Sequence, residues 1–160
     1  MKRIIFLAII FICAALSSKP HDARGSELVG FARRNCLGKP YSVSERLGPD
    51  SFDCSGLLWY VCNSLNIEMS NGNTDSQMSY GTEVGIDALK DRCAGLEVGD
   101  ILFFDYEADG VSDHTAIYAG DEKIIHAVSR GVSEDTLSGR TGLSGGQEYY
   151  DAVCSVRRLK

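Results

Sequence analysis

The run Phe52-Asp53-Cys54-Ser55-Gly56 sets a cysteine directly after a residue suited to cap a helix, at the head of an apolar stripe. A thiol becomes a useful nucleophile when its thiolate is stabilised, and the first turn of a helix turns the positive end of its macrodipole toward that anion. The adjacent Asp53 acts the other way as a charge, so a proton-accepting partner is also required. Histidine suits that role because it titrates near neutrality. The chain has three histidines, and two of them, His114 and His126, fall in neighbouring segments of strand character. His21 lies in a polar stretch and reads as a solvated residue. Taken singly, a cysteine on a buried stripe is also an ordinary core residue, and a histidine on a sheet is commonly satisfied by backbone groups. Zinc is a further option, but no closely spaced Cys/His pair is present.

Such a site needs elements to hold it. Cys54, Leu57, Leu58, Val61, Cys62 and Leu65 recur at i, i+3, i+4, i+7, i+8 and i+11, the pattern of one helix with a continuous apolar face and Asp53 as its N-cap. An earlier helix is expected from Ser26, through Leu28, Phe31, Ala32 and Cys36, ended by Gly38 and Pro40. Ser76–Tyr80 reads as a short helical turn and Leu89–Gly99 as a loop. Ile101–Tyr106, His114–Ala119, Lys123–Val128 and Tyr149–Arg158 read as strands, with residues 131–146 a long polar loop before the last of them. Its Gly142-Leu143-Ser144-Gly145-Gly146 run lacks the ending of a phosphate loop. Helices first and antiparallel strands after them predict an α+β fold.

Register decides whether the two histidines can meet. A two-residue turn between their strands sets Ala119 opposite Glu122 and His126 opposite Thr115, so the imidazoles point to opposite faces. A three-residue turn of Gly120, Asp121 and Glu122 sets His126 opposite Ala116. His126 and His114 are then diagonal neighbours on one face, within hydrogen-bond reach. A Cys-His-His site requires the second pairing.

The 160 residues, 44% hydrophobic and 24% charged, amount to one globular domain, expected over 26–160. The net charge of −6 carries no basic face for phosphates, which excludes nucleic acid as a partner. Lys2 and Arg3, the apolar run Ile4–Leu16 and the small residues Ala15 and Ser17 have the layout of a secretory signal peptide over 1–18. The run is too short to span a bilayer, which takes about 20 residues. Residues 19–25 are expected to be a flexible mature N-terminus, and no stable membrane anchor is expected after cleavage. Of six cysteines, Cys13 falls in the signal, and Ile12 before it does not suit a lipid-anchor site. An odd number then remains, which suits one free, reactive thiol. The other four could form two disulfides in an oxidising compartment. Cys36–Cys62 would staple the two helices and leave Cys93–Cys154, although four cysteines allow three connectivities.

Gly38-Lys39-Pro40-Tyr41, Phe52–Leu57, Gly99-Asp100-Ile101-Leu102-Phe103-Phe104, His114–Gly120 and Ile125-His126-Ala127 occur in the order found in the NlpC-type peptidoglycan endopeptidases, which the chain resembles over about residues 26 to 130. The resemblance implies a papain-like fold with the nucleophile helix packed on an antiparallel sheet. It implies Cys54 as nucleophile, His114 as general base and acid, and His126 as the residue that orients the base. It also implies Tyr41 as a wall of the site that helps bind the oxyanion. Asp53 and Ser55 match a pocket for the free amine of a stem peptide, and the Cys54 N–H suits an oxyanion donor. The implied reaction is hydrolysis of the γ-D-glutamyl to diamino-acid bond of peptidoglycan, without metal or organic cofactor, by an exported monomer that lacks a wall-binding module. A thiol amidase or acyltransferase of the same fold, such as the lecithin-retinol acyltransferase-like group, and a non-catalytic disulfide-stabilised binding module are the competing readings.

Overall fold

The computed structural model describes residues 20–141 and 146–159. The expected signal peptide and most of the glycine-rich run lie outside these residues. The chain opens with helix α1, Pro20–Asn35, which begins six residues before the expected Ser26. Proline suits a first helical turn, where its missing N–H is not needed. The upstream turn is held by a tertiary contact that apolar periodicity does not register. Gly25 is buried against the loop before the sheet, where an added Cβ would lie 1.8 Å from the Val98 carbonyl oxygen. Gly99, at φ +91, meets it from the other side, and a Cβ there would stand 2.3 Å from the Gly25 Cα. Residues 20–25 therefore lie in a helix that docks at Gly25.

Helix α2 is Cys54–Ser64, as its stripe predicts. The Asp53 carboxylate caps it by accepting the Gly56 N–H at 2.6 Å, satisfying one of the donors that every helix start leaves open. Asn66 follows in the left-handed region at φ 55, a conformation asparagine tolerates after a helix end. Leu57, Leu58, Val61 and Cys62 are at most 2% exposed. Burying each of the larger apolar side chains stabilises the fold by about 1.5–3 kcal/mol, so this face anchors Cys54 firmly. The helix packs on α1 and on two central strands.

Beyond the short helix α3, Thr74–Gln77, come strand β1, Thr82–Val84, a 3-10 turn at Ile86–Leu89 and a helical turn at Lys90–Cys93. The remaining strands are β2 (Ile101–Phe104), β3 (His114–Gly120), β4 (Lys123–Val128), β5 (Gly131–Thr136) and β6 (Val153–Arg158). They form one antiparallel sheet in the order β1-β6-β2-β3-β4-β5. Alternation along β2 explains its unbroken apolar run. Ile101 and Phe103 join the core under the helices, whereas Leu102 and Phe104 join a second cluster on the opposite face with Ile124, Tyr149 and Val156. Buried Asp100 ties the start of β2 to the end of β6, accepting both Nε and Nη2 of Arg158 at 2.8 Å, so the Gly99-Asp100 pair is structural.

Two strands escape the sequence pattern. β1 is only three residues long. β5 falls where a polar loop is expected, because Ser133, Glu134 and Asp135 have no apolar alternation, yet the whole strand pairs with β4.

The five described cysteines, Cys36, Cys54, Cys62, Cys93 and Cys154, are all free thiols, so neither Cys36–Cys62 nor Cys93–Cys154 is formed. Cys36 and Cys62 are fully buried in the core around the helices, where they pack as small apolar side chains. Burial pushes their thiols up to about 11 and about 12. Cys93 is buried while Cys154 is exposed, its thiol donating to the Phe103 carbonyl.

Candidate active site

Cys54 is the first residue of α2, and the element before it is shaped to reach the same place. The Phe52 N–H donates to the Pro40 carbonyl, and the Ser42 N–H returns the bond to Phe52, both at 3.0 Å. This pairing draws Tyr41 alongside the residue two before Cys54. Lys39 is fixed in turn by β5, whose Val132 N–H donates to its carbonyl at 2.8 Å. Gly56 lets the chain pass over the helix start, since a Cβ there would sit 1.8 Å from the Arg46 carbonyl oxygen.

Burial and then the Asp53 charge push the Cys54 thiol up, while the backbone N–H groups of Thr115, Ser55 and Cys54 itself favour its anion. The Thr115 contact places the sulfur at the head of β3, one residue along from His114. Tyr41 is a little over one-third exposed. Its phenol is raised by burial and by the neighbouring charges of Cys54 and Asp53, so it remains a hydrogen-bond donor close to the sulfur.

The register of the histidine strands meets the requirement. Ile117 pairs with Ile125 and Tyr118 with Ile124, then the pairing shifts so that Gly120 faces Lys123. Asp121 and Glu122 both have positive φ, the signature of a two-residue type I′ turn. Such a turn alone would separate the histidines. The bulge between Tyr118 and Gly120 inserts the extra residue that brings them onto one face. His114 Nε2 lies 3.0 Å from His126 Nδ1. Both rings are buried, at 6% and 0% exposure. Desolvation, with the His126 charge second, holds His114 far below the ordinary histidine range. His126 is also lowered by burial, against a smaller opposing pull from Asp135. Both imidazoles are therefore neutral at neutral pH.

Several residues that sequence reasoning did not single out complete the site. The Tyr106 ring stacks on His114 with centroids 5.9 Å apart, and Tyr149 meets His126 edge-on at 5.0 Å. The Tyr106 phenol is pushed far up by burial, then by Tyr149 and Cys54, which places it near the sulfur too. Asp135 Oδ2 stands 2.7 Å from His126 Nε2, and the Arg130 guanidinium donates to the same oxygen. Continuing the β4 strand through a two-residue hairpin at Ser129-Arg130 would set His126 opposite Ser133 and Asp135 on its diagonal. That was the available signal.

Asp53 and Ser55, expected to receive a substrate amine, already hold a cation. Arg46 Nε donates to Asp53 Oδ2 at 2.7 Å, and its Nη2 donates to Ser55 Oγ at 2.5 Å and to the Gly72 carbonyl at 2.7 Å. Its Nη1 donates to the Asn71 carbonyl at 2.7 Å. A planar guanidinium can serve such a divergent set of acceptors, whereas an ammonium cannot. The structure thus brings together Cys54, His114, His126 and Tyr41, with Asp53 and Ser55 at one flank bound to Arg46.

The profile of the NlpC/P60 family matches residues 38–144. The chain is 35% identical over 123 residues to a probable endopeptidase p60 of Listeria grayi, covering 77% of this chain and 22% of that protein. It is 33% identical over 139 residues to a γ-DL-glutamyl hydrolase of Bacillus subtilis, covering 82% and 32%. It spans a fifth to a third of the length of these relatives. Among solved structures, an NlpC/P60 family protein of Bacillus cereus superposes with a TM-score of 0.67 at 25% identity, over 84% of this chain and 40% of that one. NlpC2 of Trichomonas vaginalis gives 0.66 at 25% identity, over 90% and 49%. The papain-like α+β fold, the capped cysteine helix and the ordered motifs agree with the profile match: the chain belongs to the NlpC/P60 family.

Proposed function

We propose that this chain is an exported cysteine endopeptidase that hydrolyses the γ-D-glutamyl to diamino-acid bond of bacterial peptidoglycan stem peptides. The observation that carries the reading is the convergence of Cys54, at the capped start of α2, with a buried His114–His126 pair at the head of β3. The names of the relatives, a probable endopeptidase and a γ-DL-glutamyl hydrolase, support a γ-glutamyl bond as the target, and the name of a further relative, a probable peptidoglycan endopeptidase of Bacillus subtilis 35% identical over 113 residues, supports peptidoglycan as the substrate. The basic-then-apolar start of the chain supports export.

With the thiol raised and His114 lowered, the resting pair is a neutral thiol beside a neutral imidazole. The proton therefore passes from Cys54 Sγ to His114 as the sulfur attacks the scissile carbonyl. Charge on the carbonyl oxygen is met by the Cys54 N–H and the Tyr41 hydroxyl, donors in place before the reaction begins. His114 returns the proton to the leaving amine as the C–N bond breaks. Water, deprotonated by the same histidine, then adds to the thioester and releases the acid and the thiol. The aromatic wall of Tyr106 and Tyr149 excludes water from the histidine pair. A substrate amine seeking Asp53 and Ser55 competes there with Arg46.

Incubation with defined stem peptides followed by mass analysis tests this. The expected products are the fragment ending in D-glutamate with a free γ-carboxyl and the diamino acid or its peptide, and Cys54→Ala lowers turnover by about a thousandfold or more. Cleavage at a D,D bond instead would overturn the bond assignment, and turnover that survives Cys54→Ala would overturn the mechanism.

A further inference from the structure

The histidine pair ends on a carboxylate, and that contact has a consequence at the other end of the chain of hydrogen bonds. We propose that Asp135, pinned by Arg130, is a positioning residue that sets the tautomers of both histidines and leaves Nδ1 of His114 as the atom that takes the thiol proton. This rests on the cysteine-peptidase reading above.

An ionised carboxylate only accepts, and Asp135 Oδ2 stands 2.7 Å from His126 Nε2, so that nitrogen carries a hydrogen. A neutral imidazole has one N–H, so His126 Nδ1 presents a lone pair. That lone pair is 3.0 Å from His114 Nε2, which must then be the donor. The lone pair of His114 is left on Nδ1. The reverse arrangement would set two lone pairs against each other at 2.7 Å unless Asp135 were protonated. Arg130 opposes protonation, since its Nη2 donates to the same oxygen and also reaches Ser133 Oγ at 3.2 Å. Ser133 Oγ in turn lies 3.3 Å from Asp135 Oδ2. Burial of both rings removes the water that could otherwise supply the alternative partners.

His126 is thus a coupler whose direction is decided elsewhere. Its ring relays the preference of a carboxylate on β5 to the base on β3, across strands paired by register. When His114 takes the thiol proton it becomes a cation whose Nε2–H still points at His126 Nδ1. Asp135 then stabilises the developing charge through the intervening neutral ring, as the third member of other triads does directly.

Nitrogen-15 NMR of the histidines in the full-length protein at neutral pH tests the assignment without reference to activity. Both rings are expected as the neutral Nε2–H form; a signal showing His114 or His126 protonated at Nδ1 instead would overturn it. Asp135→Ala removes the acceptor, and both tautomers should then appear, with kcat on stem peptides falling about 10- to 100-fold and KM within about twofold. An unchanged kcat with unchanged tautomers in that variant would also overturn it. Asp135→Asn can keep an acceptor oxygen beneath Arg130, so it should fold, retain the Nε2–H pattern and lose less than Asp135→Ala. A wild-type protein showing the Nε2–H pattern but cleaving no stem peptide would refute the peptidase reading while supporting the tautomer assignment.

Discussion

At the scale of single residues, the site is organised by which charges are already compensated. Arg46 connects Asp53 and Ser55 to the Asn71 and Gly72 carbonyls, so it ties the residues flanking Cys54 to the loop before α3. Arg46→Ala leaves the Asp53 carboxylate without its cation and two carbonyls without their donors. Because the side chains of Arg46 and Asp53 are only 24% and 14% exposed, the expected loss of stability is about 1–3 kcal/mol, read by urea unfolding. Arg46→Lys should recover less than half of it, since an ammonium cannot reach the same acceptors. The vacated carboxylate is also expected to raise the preference for a free-amine stem peptide over its N-acetylated form. A variant as stable as wild type would show that the clamp contributes nothing.

At the scale of elements, three placements make the site, and each has a local cause. α2 is set by its stripe and its Asp53 cap. The β3–β4 hairpin reaches the right face because a bulge offsets its two-residue turn. α1 is held by the crossing of Gly25 and Gly99. Gly25→Ala sets a methyl group against the Val98 carbonyl and forces the helix away from the sheet. The expected cost is about 1–3 kcal/mol, with little change in helix content because alanine is the better helix former. A neutral effect on the unfolding midpoint would mean that Gly25 does not dock against the Val98–Gly99 backbone. The apolar spacing of the second helix and the central strands made those elements legible in the sequence. α1's first turn and β5 were not, since one depends on a glycine crossing and the other on pairing by a polar strand.

At the scale of the whole molecule, two buried neutral imidazoles make stability depend on pH. In the unfolded chain they return to about 6.5, whereas in the fold both lie lower through burial, His114 at about 3. Between those values the unfolded chain binds protons that the folded chain does not. Stability is therefore full above about pH 6.5 and declines as the pH falls below it. The slope approaches about 1.4 kcal/mol per pH unit for His114 alone. Urea midpoints should be nearly level from about pH 7.5 to 6.5 and drop between about 6.5 and 5, before the carboxylates contribute. A flat profile through that window would show that neither histidine is buried in solution.

The candidate residues of the site were legible in the sequence alone, because helix capping and strand alternation depend on residue types at fixed local spacing. Asp53 before Cys54 caps a helix wherever the apolar stripe buries it, and alternation along the strands confines His114 and His126 to one of two faces. Tertiary structure decided the rest. A bulge chose the face. Asp135 and Arg130 entered because β5 pairs with β4, and Arg46 reached Asp53 because the loop after Tyr41 folds back over Gly56. Of the cysteines expected to pair, Cys36, Cys62 and Cys93 are core side chains and Cys154 is an exposed thiol instead. Each of these depends on contacts between segments far apart in the chain, and periodicity records only what neighbours along one element share.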